Sequence, residues 1–316
     1  MAALVAISAT AVVGCGGSDD DTEPARDRSA EISRLEKKVE KLQDEARQEQ
    51  AGTAGSGSGS SSGDRAGSPA IGKMLKRLPG TAGLVVAAPG GDGPRVGGGD
   101  FKTGPAWSTI KVPIAERVLA DAGGPGAISS AQRDQIRQAI TVSDNDAAAA
   151  LFADLEAAHG GLNGASRAVQ QMLRQAGDSE TVVSTEGRDG FSTYGQTDWS
   201  LAEQNRYMAA LAGGCVSDPA SRKLLLDDMA AVTAEPWGLG AAGVPARWKG
   251  GWGPGTDGRY LVRQMGVLEL DGTEMVVTLA AIPDDGSFES AQAMATRIAS
   301  WAAANLADGV GGSTAC

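Results

Sequence analysis

Ser108 and Lys111 stand three residues apart in Ala106-Trp107-Ser108-Thr109-Ile110-Lys111, a spacing that puts two side chains on one face of a helix about a turn apart. A serine hydroxyl is a weak nucleophile at neutral pH and needs a neighbour to take its proton. A lysine amine does this only when burial or another cation lowers its pKa. The pair therefore predicts a second cation close by. Two further elements carry matching chemistry: Ser143-Asp144-Asn145, expected on a turn between helical stretches, and Lys249-Gly250-Gly251-Trp252, expected on a strand. Together they offer a hydroxyl, an amide and a second ammonium group.

The elements that must hold these residues follow from periodicity and turn chemistry. A short helix is expected over 71–78, strands over 83–88 and 95–99, then the Ser108 helix. Ser129 to Gln132 reads as a capping box opening a helix to about Ala139. Helices follow near 147–158, 164–176, 201–212 and 220–233, the third opened by a Ser200 to Glu203 capping box and the fourth by Pro219. Strands over 247–252, 260–270 and 274–282 come next, the last two joined by the hairpin signal Asp271-Gly272. A closing helix over 288–305 carries Ala291, Met294, Ala295, Ile298 and Trp301 on one face. Two strands, a helical block, three strands and a helix predict an α+β fold: an antiparallel five-stranded sheet flanked by helices, with an adjoining helical subdomain.

At 316 residues the chain accommodates one catalytic domain with appendages. Its net charge of -11 argues against nucleic acid as a partner. The one histidine, His159, falls at a helix end, and no Gly-x-Ser-x-Gly elbow occurs, which disfavours a histidine-triad hydrolase. No His, Cys or carboxylate cluster has metal spacing, so neither a metal nor another cofactor is expected. The glycines of 90–93 are followed by no Gly-Lys-Ser/Thr, so they read as a hairpin loop and not a phosphate cradle.

The first 69 residues differ in composition. Residues 1–14 are small and apolar and end at Cys15, which resembles the lipobox of bacterial lipoprotein signal peptides, although no Lys or Arg precedes the run. Cys15 would then be lipidated, making the protein extracytoplasmic and anchored to a bacterial membrane. An acidic tether follows at 15–28. Residues 29–50 carry Ile32, Leu35, Val39 and Leu42 at heptad-like spacing, open to two readings: a solvated stalk helix, or a short coiled coil giving weak self-association. Residues 51–69 are Gly/Ser-rich and behave as a flexible linker with a reach of roughly 20 to 25 Å. The catalytic domain is expected over 70–307, with a tail at 308–316. With Cys15 lipidated, Cys215 and Cys316 remain as a disulfide candidate or as two free thiols.

The ordered set Ser108-x-x-Lys111, Ser143-Asp144-Asn145 and Lys249-Gly250-Gly251, with Ala139 to Asn145, Gly160-Gly161 and Gly177-Asp178 around it, resembles the serine β-lactamase and penicillin-binding protein superfamily, in particular class A β-lactamases. The resemblance covers residues from about 70 to 307. It implies that Ser108 forms an acyl-enzyme, Lys111 takes its proton, Ser143 relays a proton to the leaving group, and Asn145 orients Lys111 and holds a substrate amide. It also implies that Lys249 depresses the pKa of Lys111 and attracts a substrate carboxylate, that Gly250 and Gly251 line the substrate, and that the backbone N–H groups of Ser108 and Trp252 meet the oxyanion.

Three features depart from the family. Gly250 stands where Thr or Ser would offer a hydroxyl to a β-lactam carboxylate. The spacing from Ser108 to Ser143 is short, so the helical subdomain is trimmed. Glu186, on the short loop 183–189, falls about one position from the glutamate that activates the deacylating water, with Asp189 behind it. The substrate would be a small molecule or a cell-wall-derived peptide or ester. The alternative function is a non-catalytic or β-lactam-binding, penicillin-binding-like lipoprotein that binds a cell-wall component or a protein partner.

Overall fold

The computed structural model describes residues 67–306 apart from Asp92 and Pro94, together with Cys316. The leader with Cys15, the acidic tether, the charged segment 29–50 and most of the linker and tail lie outside the described residues. Helix α1 (Gly67–Leu75) begins inside the stretch read as linker. It stops before Leu78 because the chain tightens into short turns ahead of Pro79, with Arg77 N–H on Met74 O and Leu78 N–H on Leu75 O.

Strands β1 (Gly80–Ala87) and β2 (Arg95–Gly99) are followed by the short β3 (Thr103–Pro105). A 3₁₀ turn, Trp107–Ile110, then runs into helix α2 (Lys111–Ala122). Helices α3 (Ser130–Thr141), α4 (Asn145–His159) and α5 (Leu162–Gln175) build the helical block. After β4 (Asp198–Ser200) come α6 (Leu201–Gly213) and α7 (Pro219–Ala230). Strands β5 (Ala246–Pro254), β6 (Tyr260–Leu270) and β7 (Thr273–Pro283) and helix α8 (Phe288–Asn305) complete the described chain.

The main sheet has the order β2-β1-β7-β6-β5, every neighbouring pair antiparallel. The fold is therefore α+β, with a five-stranded antiparallel sheet and eight helices among the described residues. Alternation along the central strands sends Leu268, Val277 and Leu279 to a core with α1 and α8, and Met265, Val267 and Val276 to a core with the helical block. Covered on both faces, β6 and β7 read as nearly continuous apolar runs.

Local chemistry sets most boundaries. Ser129 and Gln132 close a reciprocal capping box on α3. Ser200 accepts the Glu203 N–H, but the Glu203 carboxylate turns to Arg206, so only half of that expected box forms. Asp271 and Gly272 both adopt positive φ, 49° and 80°, as a two-residue hairpin turn with the right twist requires. Paired β3 and β4 were not foreseen, because three-residue strands carry no readable period. Cys215 and Cys316 are bridged, with Cα atoms 5.2 Å apart, which ties the chain end to the end of α6 across a sequence separation of 101.

Two buried ionisable groups tie neighbouring elements together. Arg263 of β6 is fully buried and makes no ion pair among the described residues; it donates to the carbonyls of Gly104, Pro105 and Trp199 and to Gln204 Oε1. Gln204 in turn donates to Thr109 Oγ1, which donates to Ala106 O. This chain clamps β3, β4 and the 3₁₀ turn together. Glu116 of α2, also fully buried, accepts from Tyr207 Oη at 2.6 Å and from Ser217 Oγ. Burial pushes its carboxyl up from 4.5 to about 7.

Arg263→Leu leaves several carbonyl oxygens buried without donors, so it should lower unfolding free energy by roughly 3 kcal/mol or more in urea denaturation. A loss under about 1 kcal/mol would show that water replaces the guanidinium. Because the Glu116 pKa is raised on folding, its stabilising contribution is complete below pH 4.5 and is lost as pH rises to about 7. Urea unfolding across that window should show stability falling with pH, by up to about 1.4 kcal/mol per unit for one proton, and Glu116→Gln should flatten the slope.

Candidate active site

Ser108 sits in the 3₁₀ turn and Lys111 is the first residue of α2, so the pair spans a junction and not one continuous α-helix. Trp107, just before Ser108, has φ 49°, a left-handed conformation that bulky residues rarely adopt. Ser108 is half-buried, whereas Lys111 is 2% exposed.

The Lys111 ammonium donates to Ser143 O at 2.6 Å, Asp144 O at 3.1 Å and Asn145 Oδ1 at 2.8 Å. Those three acceptors match the three protons of a cationic amine; after losing one proton the nitrogen has a lone pair free. Burial first, and the Lys249 charge second, lower its pKa from 10.5 to about 7, against opposition from Asp144 and Glu235. The second cation expected from the sequence is thus Lys249, reached across the fold and not along the chain.

Ser143 joins the two lysines. Its carbonyl faces Lys111 and its hydroxyl accepts from Lys249 Nζ at 3.0 Å. It too has a left-handed backbone, φ 58°, directly before α4, whose first turn Asp144 caps by accepting the Ala147 N–H at 2.7 Å. Strain at both Trp107 and Ser143 marks a locally over-determined geometry at this one place.

On the other wall, β5 passes close to the 3₁₀ turn because it lacks side chains at the contact. A Cβ on Gly251 would lie 2.6 Å from Ser108 N and 2.7 Å from Trp107 Cβ. Trp252, next along the strand, is half-buried; its indole stacks on Phe288 at 5.7 Å and meets Trp237 edge-on at 6.0 Å. Trp107 is almost wholly buried, with Phe191 edge-on at 5.2 Å and the Arg188 guanidinium over its ring. Both tryptophans are packed against protein.

Sequence reasoning missed Glu235. This residue precedes Pro236-Trp237 in the connection to β5, is fully buried, and pairs with Lys249 Nζ at 2.5 Å. Desolvation lowers the Lys249 pKa, and Glu235 acts against that shift. The only signal in the sequence was the missing side chain at Gly250, where a Cβ would stand 2.3 Å from Glu235 Oε2. Glu186 and Asp189, by contrast, are exposed on the loop, and Glu186 bonds Ser184 through its backbone N–H and carbonyl. His159 ends α4 against Asp121 at 2.6 Å. Among the described residues no group of three His, Cys, Asp or Glu is arranged to hold a metal ion.

Titration of the Lys111 side chain by NMR with labelled lysine should give a midpoint near 7. Lys249→Met removes one depressing charge and leaves the opposing carboxylates, so the midpoint should move upward; an unmoved midpoint would assign the depression to burial alone.

The sequence model described as the β-lactamase enzyme family matches residues 129–305, a span that holds Ser143, Glu235 and Lys249 and begins after Ser108. Solved structures share the fold. A β-lactamase from Chitinophaga pinensis DSM 2588 is 18% identical, with TM-score 0.61 over 75% of this chain and 98% of that one. An ancestral (GNCA) class A β-lactamase is 22% identical, with TM-score 0.56 over 74% and 97%. The putative class A β-lactamase PenP from Rhodopseudomonas palustris is 22% identical, with TM-score 0.59 over 76% and 99%. No match is found among curated protein sequences. With more than half of its length inside the family match and its sheet and helices arranged as in those enzymes, the chain belongs to the β-lactamase enzyme family of serine hydrolases.

Proposed function

We propose that the protein is an acyl-serine hydrolase whose nucleophile is Ser108 and whose base is Lys111, acting on a β-lactam or a related amide or ester. The observation that carries this reading is the Lys111 amine, buried, contacted by three oxygens and held at a pKa of about 7. A solvated surface lysine would be cationic at neutral pH and no base at all. In the acylation step the Ser108 oxygen bonds to the substrate carbonyl carbon and its proton passes to Lys111. As the bond to the leaving group breaks, the Ser143 hydroxyl gives that group a proton and recovers one from Lys111. Lys249, on the Ser143 hydroxyl, steadies this relay. Asn145 keeps the amine in place, and the backbone N–H groups of Ser108 and Trp252 would receive the oxyanion beside the Gly251 contact.

Deacylation in this reading is slow. Glu186 and Asp189 are exposed, and a water attacking the acyl-enzyme needs a base within hydrogen-bond reach. The adduct therefore persists, as it would in a penicillin-binding-like lipoprotein. We place the domain outside the cytoplasm, lipid-anchored through Cys15 and linked by residues 15–69, on the N-terminal pattern alone. No helix among the described residues is long and apolar enough to cross a membrane.

Intact mass spectrometry of the full-length protein mixed with a penicillin tests the reading. A mass gain of one penicillin is expected in the wild type, with slow decay, and none in Ser108→Ala. Its rate should rise with pH through about 7, because only the neutral amine accepts a proton, and should drop by two or more orders of magnitude in Lys111→Ala, about the range of one general base. A Ser108-independent adduct would overturn the assignment.

A further inference from the structure

We infer that Glu235 is a specificity-determining residue that turns this site away from substrates with a carboxylate beside the reacting carbonyl and toward neutral esters and amides. The inference rests on the acyl-serine reading above and concerns which acyl donors that serine accepts.

A free ammonium group at Lys249 would attract an anion, but here it is 2.5 Å from the Glu235 carboxylate, with both side chains fully buried. Its other contacts, Gly250 O at 2.7 Å and the Ser143 hydroxyl, complete its three donors. The pair contributes no net positive charge, and Lys111, with its pKa near 7, is only partly charged at neutral pH.

Glu235 occupies the volume that any side chain at position 250 would need, since a Cβ there would lie 2.3 Å from Oε2 and 2.7 Å from Cδ. Glycine and Glu235 are thus a matched pair, and no hydroxyl can be offered from β5 at that position. Glu235 Oε2 has no hydrogen-bond partner among the described residues. This oxygen lies against the Gly250 position, so a substrate carboxylate at that point of the strand would face a carboxylate oxygen instead of a free ammonium group.

The placement is built, not incidental. Thr233 N–H donates to Thr141 O at 2.9 Å, anchoring the segment beside Ser143. Gln264, directly across from Gly250 in the sheet, accepts the Leu239 N–H at 2.7 Å and donates to Trp237 O. Glu235 is held between these two anchors. The other cations around the strand do not replace Lys249, and Arg247, on β5 itself, is paired with Glu274. Arg263 is fully buried on four oxygen acceptors, and Arg188 bonds Pro254 O, about 13 Å further along the strand from Gly250 at 3.3 Å per residue.

The test compares a penicillin with its own methyl ester, which have the same ring and leaving group and differ at the carboxylate. Ser108 labelling of the full-length protein is followed by intact mass. In the wild type the methyl ester should label faster than the free acid by roughly tenfold or more, the scale of a like-charge penalty. Glu235→Gln, which keeps shape and removes the charge, should shift that ratio toward the free acid by a similar factor, through the concentration dependence. The double variant Glu235→Ala, Gly250→Thr, which removes the carboxylate and fills its space with a hydroxyl, should move it further. A wild-type preference for the free acid, or an unchanged ratio in a folded Glu235→Gln, overturns the inference while leaving the acyl-serine reading intact. No Ser108 label from either compound removes that reading and this inference with it.

Discussion

Two buried lysine ammonium groups facing a single serine are the constraint around which this molecule is arranged. Ser143 separates them, its carbonyl on Lys111 and its hydroxyl on Lys249, and the Lys249 charge makes Lys111 harder to keep protonated. Like charges held together in a dry site are costly, and the surrounding elements exist in part to supply oxygens to them. The capped start of α4 brings Asp144 O and Asn145 Oδ1 to Lys111, and the connection before β5 brings Glu235 to Lys249. The left-handed backbones of Trp107 and Ser143 persist because neighbours on all sides fix them.

The second constraint is proximity. Strand β5 has to lie against the 3₁₀ turn, with no side chain between its backbone and that of Ser108. Gly251 permits that approach, and Gly250 makes room for Glu235. Behind the strand, Arg263 grips the carbonyls of β3 and β4 and makes no ion pair among the described residues, so the floor of the site depends on hydrogen bonds to backbone more than on direct charge pairing. At the other end of the site Lys249 is already paired with Glu235, so no free ammonium group is presented there.

Periodicity and turn chemistry carried far into the fold. Helix α8 and strand β2 begin and end where the pattern put them, and the Asp271-Gly272 hairpin has the conformation its residues demand. Those elements are long or strongly punctuated. The miss at β3 and β4 has the opposite cause, because a three-residue strand is set by what pairs with it. In the Ser200 box, Arg206 outcompeted the N-cap backbone for the Glu203 carboxylate.

What the sequence determined by itself was chemical identity: a hydroxyl, two amines and an amide at spacings that fit one site, the family, the order of the elements, and a glycine where a side chain was expected. Tertiary structure alone decided what surrounds each group. Lys249 lies far along the chain from Lys111, and only folding sets their distance and the dryness on which a pKa near 7 depends. Glu235 looked like any loop carboxylate until the β5 connection buried it. A side chain's charge is written in its type, but the strength of that charge depends on partners and solvent, which three-dimensional packing supplies.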